Sequence, residues 1–171
     1  YDYYKSNQNN YYIKTGIGKE NITYLETISF KDKIIDIHKD VIGIFDQLNE
    51  VDSITGKIFR LYNSSFSRFP DIDGFNYWVR MNTDKQNTYR QTSASFILSN
   101  EFLHTYGSSL TNQDYLKNLY SNILTREPDS EGLNYWLGQL NNGNESREEV
   151  LMGFSESEEN KLLFMNMIGK Y

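Results

Sequence analysis

Two stretches after residue 50 carry a mainly apolar stripe at helical spacing. The first consists of Ile54, Ile58, Leu61, Tyr62, Ser65 and Phe66, and the second of Leu116, Leu119, Tyr120, Ile123 and Leu124. Positions three or four residues apart lie on one face of a helix, so each stretch predicts a helix. Pro70 and Pro128 follow the two stretches. Because the residue before a proline avoids the α region, both helices are expected to end before it.

A second and a third helix are predicted after each proline. Asp71 and Asp129 stand where a carboxylate can cap the first free N–H groups of a helix. The second helices are marked by Phe75, Trp78 and Val79 in one half, and by Leu133, Trp136, Leu137 and Leu140 in the other. The third helices are marked by Phe96, Ile97, Phe102 and Leu103, ending near Gly107, and by a capping box of Ser146 and Glu149.

The two predicted sets of helices are copies of one sequence unit. Residues 61–78 match residues 119–136 without a gap, since Pro70 and Pro128 are 58 positions apart, and so are Trp78 and Trp136. Further identical pairs are Leu61/Leu119, Tyr62/Tyr120, Arg68/Arg126, Asp71/Asp129, Gly74/Gly132, Asn76/Asn134 and Tyr77/Tyr135. We therefore predict a mainly α protein. Its helical repeat domain would span residues 51–171 and contain two tandem three-helix repeats, about 52–108 and 110–166.

Residues 1–50 have a different pattern. Apolar residues alternate with polar ones at Ile22, Tyr24, Ile28 and Phe30, a polar turn follows at residues 31–33, and Ile34, Ile35 and Ile37 come next. This predicts a short β-hairpin or meander, which is too small to bury its own core. We expect it to be the end of an upstream β-structure that leans on the helices through Ile42, Ile44, Phe45 and Leu48.

The composition of the chain argues against several classes of function. The net charge of −6 disfavours binding to phosphate backbones, so no nucleic acid partner is expected. With no Cys in the chain, thiol catalysis and cysteine-ligated metal sites are excluded. No apolar run reaches membrane-spanning length. The sequence does not begin with an initiator Met, and its first residues lack the apolar core of a signal peptide. The chain is therefore interpreted as a piece of a longer protein.

The duplicated strings carry a family resemblance. RFPDIDGFNYW at residues 68–78 and REPDSEGLNYW at residues 126–136 resemble the R-x-P-D-x-x-G-L-x-Y-W signature of domain-of-unknown-function family 4214. SNEF at residues 99–102 and SREEVLMGFSES at residues 146–157 resemble two further motifs of that family. The sequence departs from the pattern at Phe75, where Leu is usual, and at Asn160, which stands where the first repeat has Phe102.

A second resemblance lies before the repeats. LETISFKDK at residues 25–33 is similar to the stretch that joins repeats-in-toxin β-rolls, of the haemolysin-type calcium-binding kind, to this helical domain, although Lys33 replaces the usual Gly. Together the two resemblances imply a large secreted or cell-surface, S-layer-like bacterial protein, hence an extracellular or cell-surface location. Calcium would belong to the region upstream of this chain, and no cofactor is expected within it.

Several side chains admit both a structural and a functional interpretation. We expect Trp78 and Trp136 to fill the space between helices, and Asp71 and Asp129 to cap helices rather than hold calcium. Arg68 and Arg126 are expected to complement the end of a helix and pair with these aspartates. The side chains that would face a ligand are Tyr77, Tyr135, Asn76 and Asn134. Arg68, Pro70, Asp71, Gly74 and Trp78, with Arg126, Pro128, Asp129, Gly132 and Trp136, form the structural motif.

The sequence favours a non-catalytic function. No local motif supplies a nucleophile with its base, so no catalytic, cofactor-binding or metal-binding residues are predicted and the chain is not expected to be an enzyme. We expect a structural or adhesive interaction module whose partner is a protein or a surface polysaccharide. The alternatives are a carbohydrate-binding module and an accessory domain of a secreted enzyme whose catalytic part lies upstream. No oligomeric state is indicated.

Overall fold

The computed structural model of the chain describes residues 2–107 and 109–170. A short β-rich segment precedes nine α-helices in these residues, which confirms the predicted mainly α fold class. A π-helical segment, Ile37–Ile42, leads directly into the first α-helix. The α-helices are α1 Gly43–Phe45, α2 Ile54–Phe66, α3 Ile72–Thr83, α4 Tyr89–Ile97, α5 Asn100–Tyr106, α6 Asn112–Leu124, α7 Ser130–Asn141, α8 Arg147–Ser155 and α9 Glu158–Met167.

Short polar side chains determine where the helices begin. Each helix from α2 to α9 follows a Ser, Thr or Asp whose side-chain oxygen accepts a hydrogen bond from the N–H group three residues ahead. Such caps satisfy backbone donors that a helix cannot satisfy itself. The capping residues recur 58 positions apart, as Ser53/Thr111, Asp71/Asp129, Thr88/Ser146 and Ser99/Ser157. The predicted sequence repeat is therefore also a structural repeat, with α2 to α5 corresponding to α6 to α9.

Each repeat has four helices where the sequence pattern predicts three. Ser99 divides the expected third helix, because its Oγ donates to the carbonyl of Phe96 at 2.7 Å and accepts from the N–H of Phe102 at 3.1 Å. Ser157 makes the same pair of bonds in the second repeat. A serine that ends one helix and caps the next competes with a continuous helical ladder. The apolar residues on both sides share one face, which is why their pattern predicts a single helix.

The two repeats pack against each other through equivalent helices. Helix α4 lies on α8, where fully buried Ser93 donates from its Oγ to the carbonyl oxygen of Glu148 at 3.0 Å. Helix α2 also packs on α8, so the first helix of one repeat contacts the third helix of the other. The buried apolar residues of both repeats form one continuous core.

Two small sheets form the N-terminal segment. Strands β1 Tyr3–Lys5, β2 Tyr11–Thr15 and β3 Gly18–Asn21 form an antiparallel sheet in that order. Strands β4 Thr27–Ser29 and β5 Ile34–Asp36 pair antiparallel on either side of the predicted polar turn, which confirms the hairpin. The alternation that starts at Ile22 does not form one strand, because the chain turns after Ile22 and leaves Tyr24 90% exposed.

The N-terminal segment packs on the first repeat, as predicted. Phe69 lies at the contact, with its ring centroid 5.0 Å from that of Tyr3, 5.4 Å from that of Phe45 and 5.3 Å from that of Phe59. Ile44, Phe45 and Leu48 are buried in the same core, and Ile42 is half-buried. The division of the chain at residue 50 stays a prediction.

The second repeat has no apolar equivalent of this contact surface. The positions that correspond to Phe59, Phe69 and Ile72 are occupied by Lys117, Glu127 and Ser130. Since aromatic and aliphatic side chains supply most of the free energy of such packing, these three positions direct the aromatic contacts of the N-terminal segment to the first repeat. From the second repeat, helix α9 also contacts β1. Across the described residues, no helix is both long enough and apolar enough to cross a membrane.

Candidate functional site

The duplicated signature forms a turn that joins the first and second helices of each repeat. The first helix ends in a left-handed residue, Ser67 or Thr125, with φ of 50° or 53°. Extended chain through the proline then leads to the aspartate that caps the next helix. Asp71 Oδ1 accepts from the N–H of Gly74 at 2.7 Å, and Asp129 makes the corresponding bond at 2.8 Å. The predicted capping role of both aspartates is confirmed.

The signature arginines tie this turn to the fourth helix. Arg68 donates through Nε and Nη2 to both carboxylate oxygens of Glu101, at 2.5 and 2.9 Å. Arg126 makes the same bidentate contact with Glu159, at 3.0 and 3.2 Å. The expected aspartate partners lie farther away, since the guanidinium groups are 3.6 Å from Asp71 and 3.5 Å from Asp129. Hydrogen bonding to the glutamates raises the pKa of both arginines.

The signature glycines leave room for a tyrosine hydroxyl. A Cβ atom on Gly74 would lie 2.5 Å from the hydroxyl oxygen of Tyr62, and one on Gly132 would lie 2.5 Å from that of Tyr120. Both distances are shorter than carbon–oxygen contacts in folded proteins. Burial, followed by the nearby Asp71 carboxylate, raises the pKa of Tyr62 to about 12. The glycine is therefore required by close approach between the first two helices of each repeat.

We expect Gly132→Ala to destabilise the fold by about 1–3 kcal/mol, because the added methyl group must displace the Tyr120 ring or the Asp129 cap. Gly138→Ala is the matched control, since it lies in the same helix and its Cβ would meet no atom within 4 Å. That control should be neutral or stabilising by about 0.5–1 kcal/mol, because alanine favours helix. Urea unfolding midpoints measure both changes, and equal midpoints for the two variants would contradict the close-approach explanation.

The signature tryptophans join helices of their own repeat, as expected of side chains that fill the space between helices. Trp78 packs against Phe96 with centroids 5.3 Å apart, and Trp136 packs against Phe154 at 5.5 Å. Both rings are partly buried and pack against the core.

The predicted ligand-facing residues lie on the surface in two separate places. Tyr77 is 45% exposed on α3, and Tyr135 is 55% exposed on α7. Each stands edge-on to the tryptophan that follows it. Asn76 and Asn134 are also exposed, and Asn76 accepts a hydrogen bond from Gln47 at 3.1 Å. Each repeat therefore presents its own tyrosine–asparagine pair, and the two pairs do not form one site.

A buried polar cluster connects the repeats. Arg60 is 1% exposed and donates to both oxygens of Glu156, at 3.2 and 2.5 Å, and to the carbonyl of Val51 at 2.6 Å. The Tyr89 hydroxyl lies 3.1 Å from Glu156 and 3.2 Å from Ser155. Burial, followed by the Glu156 charge, raises the pKa of Tyr89. This cluster could not be predicted from the sequence, because Arg60 and Glu156 are 96 positions apart.

A cleft of about 400 Å³ lies beside this cluster, between the C-terminal ends of α2 and α6. Its walls include equivalent positions of the two repeats, namely Asn63 with Ser121 and Ser67 with Thr125. Helix α9 contributes Asn160, and the first sheet closes the remaining side. None of these residues was predicted to be functional. The departure from the family pattern at Asn160 is the one sequence signal that points to the cleft.

No metal centre is indicated in the described part of the chain. Among residues 2–107 and 109–170, no group of three or more His, Asp or Glu side chains is placed to hold a metal ion. The expectation that calcium lies upstream of this chain stays a prediction.

One family matches the chain, over residues 93–164, and it is described as a domain of unknown function (DUF4214). This match confirms the resemblance over these residues. The match covers the end of the first repeat and most of the second. The turn at residues 68–78 lies outside the match but has the same geometry as the turn at residues 126–136. The similarity of residues 25–33 to a repeats-in-toxin junction lies outside the match and stays a prediction. Neither a curated protein nor a solved structure matches the chain.

Proposed function

We propose that the chain is a non-catalytic structural or adhesive interaction module of a larger secreted or cell-surface bacterial protein. The observation that supports it is the use of the signature in both repeats. The arginine pairs with a glutamate, the aspartate caps a helix, and the glycine makes room for a tyrosine. Residues engaged in this way hold the repeat together, and they leave the outer surfaces to bind partners.

A protein or a surface polysaccharide fits these outer surfaces best. Each repeat exposes a tyrosine beside an asparagine, and this pairing of an aromatic ring with an amide suits sugar recognition as well as protein contact. The net charge of −6 disfavours anionic polymers such as nucleic acids. The secreted or surface location rests on the sequence resemblances, and so does the alternative of an accessory domain of a secreted enzyme.

Cosedimentation with insoluble bacterial cell-wall material tests the proposal. The intact chain should be retained in a saturable way, and it should release no reducing ends or soluble fragments from the material over time. Bovine serum albumin, another acidic protein, is the control for nonspecific retention. Time-dependent release of products would contradict the non-catalytic part of the proposal. Retention no greater than that of albumin would contradict the adhesive part.

A further inference from the structure

The cleft between the repeats has the properties of a small-ligand site. Its volume of about 400 Å³ falls within the range that small-molecule sites occupy. We propose that it binds a neutral saccharide of one or two rings. This inference rests on the interaction function proposed above and names the ligand class and the place where it binds.

The walls of the cleft carry groups that both donate and accept hydrogen bonds. Asn63 and Ser67 come from the end of α2, while Ser121 and Thr125 come from the equivalent end of α6. Amides and hydroxyls offer donors and acceptors together, as the hydroxyl groups of a sugar require. Because helices of both repeats supply the walls, the site exists only when the repeats are joined.

Asn160 is the most informative residue of the cleft. It is 6% exposed, and its side-chain N–H donates to the carbonyl of Ser155 at 2.8 Å. No hydrogen bond to its side-chain carbonyl oxygen is formed within residues 2–107 and 109–170, and this oxygen is not fully buried, so it stays open to water or a ligand where Asn160 lines the cleft. The corresponding residue of the first repeat is Phe102, which is buried against Tyr106 at 4.6 Å between centroids. A buried amide thus replaces a buried ring only where the side chain borders the cleft.

The charges around the cleft favour an uncharged ligand. Arg60 borders it, but its guanidinium group is already bound to Glu156 and Val51. The remaining charged residues in the lining, Asp2 and Lys14, have opposite signs. The lining therefore carries no excess of one sign that would select an ionised ligand over a neutral one.

Apolar side chains complete the match to a sugar. Phe164 and Leu163 of α9 line the cleft beside Asn160, and Tyr4 lines it from the first sheet. A sugar ring has C–H faces as well as hydroxyl groups, so it can contact such side chains while its hydroxyls bond to the polar wall.

Isothermal titration calorimetry of the whole chain with cellobiose, maltose and N,N′-diacetylchitobiose tests the site. At least one of these probes should bind in a saturable way. Asn160→Phe introduces the residue of the first repeat, fills the cleft, and should weaken binding at least tenfold. Asn63→Ala removes a half-buried wall amide that makes no side-chain bond within the described residues, so it should fold normally and also weaken binding. Lys117→Ala, at an exposed position of α6 outside the cleft lining, is the control and should leave the affinity unchanged. Tyr135→Ala tests the exposed surface of α7 separately.

Three outcomes would overturn the proposal. The first is no binding of any probe up to about 10 mM, where even weak sites are detected. The second is wild-type affinity in both Asn160→Phe and Asn63→Ala. The third is loss of binding in Tyr135→Ala alone, which would place the sugar on the exposed surface of α7. Each of them leaves cell-wall retention intact if the interaction function is right, so the two proposals can fail separately.

Discussion

Glu156→Ala is expected to destabilise the protein by about 3–5 kcal/mol, because it leaves the Arg60 guanidinium group buried without its counter-charge. The side chain of Arg60 is 1% exposed and that of Glu156 is 22% exposed, so water replaces little of the lost interaction. The contact with the Val51 carbonyl and the position over the Phe164 ring, 5.1 Å from its centroid, would remain for the guanidinium group, but neither supplies a negative charge. The same substitution removes an acceptor from the Tyr89 hydroxyl. Urea unfolding followed by circular dichroism measures the change in the free energy of unfolding.

Arg90→Ala is the control for this prediction. Arg90 also bridges the repeats, to Glu148 and Glu149, but half of its side chain is exposed. Ion pairs at the surface contribute about 0–1 kcal/mol, so this variant should unfold close to the wild type. Replacing Arg60 by Met together with Glu156 by Leu should recover most of the loss, since no unpaired charge is then buried. Equal losses in Glu156→Ala and Arg90→Ala would show that the buried pair has no special role.

Local chemistry explains which parts of the fold the sequence predicts. The caps at Asp71, Asp129 and Ser146 involve residues three positions apart, so their bonds can be inferred from spacing alone. Because the sequence unit is duplicated, each helix is predicted from two separate stretches of the chain. The end of one helix and the start of the next at Ser99 also depend on local hydrogen bonds, but the apolar stripe continues across this residue. Such a stripe predicts which face of a helix is buried, and it does not predict where the helix ends.

Contacts between distant segments explain what the sequence did not predict. The first sheet lies within residues 3–21, which are rich in Tyr and Asn. Its buried tyrosines, Tyr3 and Tyr11, become core residues by packing on Phe69 and Phe45. The cluster around Arg60 and the cleft arise where the repeats meet. Their counterparts in the other repeat differ, since Asn118 corresponds to Arg60 and Leu98 to Glu156. A comparison of the two repeats therefore identifies positions that differ. The structure shows that these residues lie where the repeats meet.

The difference between the repeats also predicts where the chain is most sensitive to mutation. Phe59 and Lys117 occupy the same position in α2 and α6. Phe59 is 1% exposed, and its ring centroid lies 5.3 Å from that of Phe69 and 5.6 Å from that of Phe164. It thus joins the N-terminal segment, the first repeat and α9, whereas Lys117 is exposed.

We expect Phe59→Ala to reduce the free energy of unfolding by about 3–5 kcal/mol, which is the usual cost of removing a buried aromatic ring. Lys117→Ala, at the equivalent position, should change it by less than about 0.5 kcal/mol. Urea unfolding measures both variants, and Phe59→Leu provides an intermediate case if the alanine variant fails to fold. Amide exchange should rise in β1 and β2 of Phe59→Leu before it rises in α6, because the N-terminal segment loses part of its support. Similar unfolding midpoints for Phe59→Ala and Lys117→Ala would contradict the predicted importance of the buried Phe59 ring.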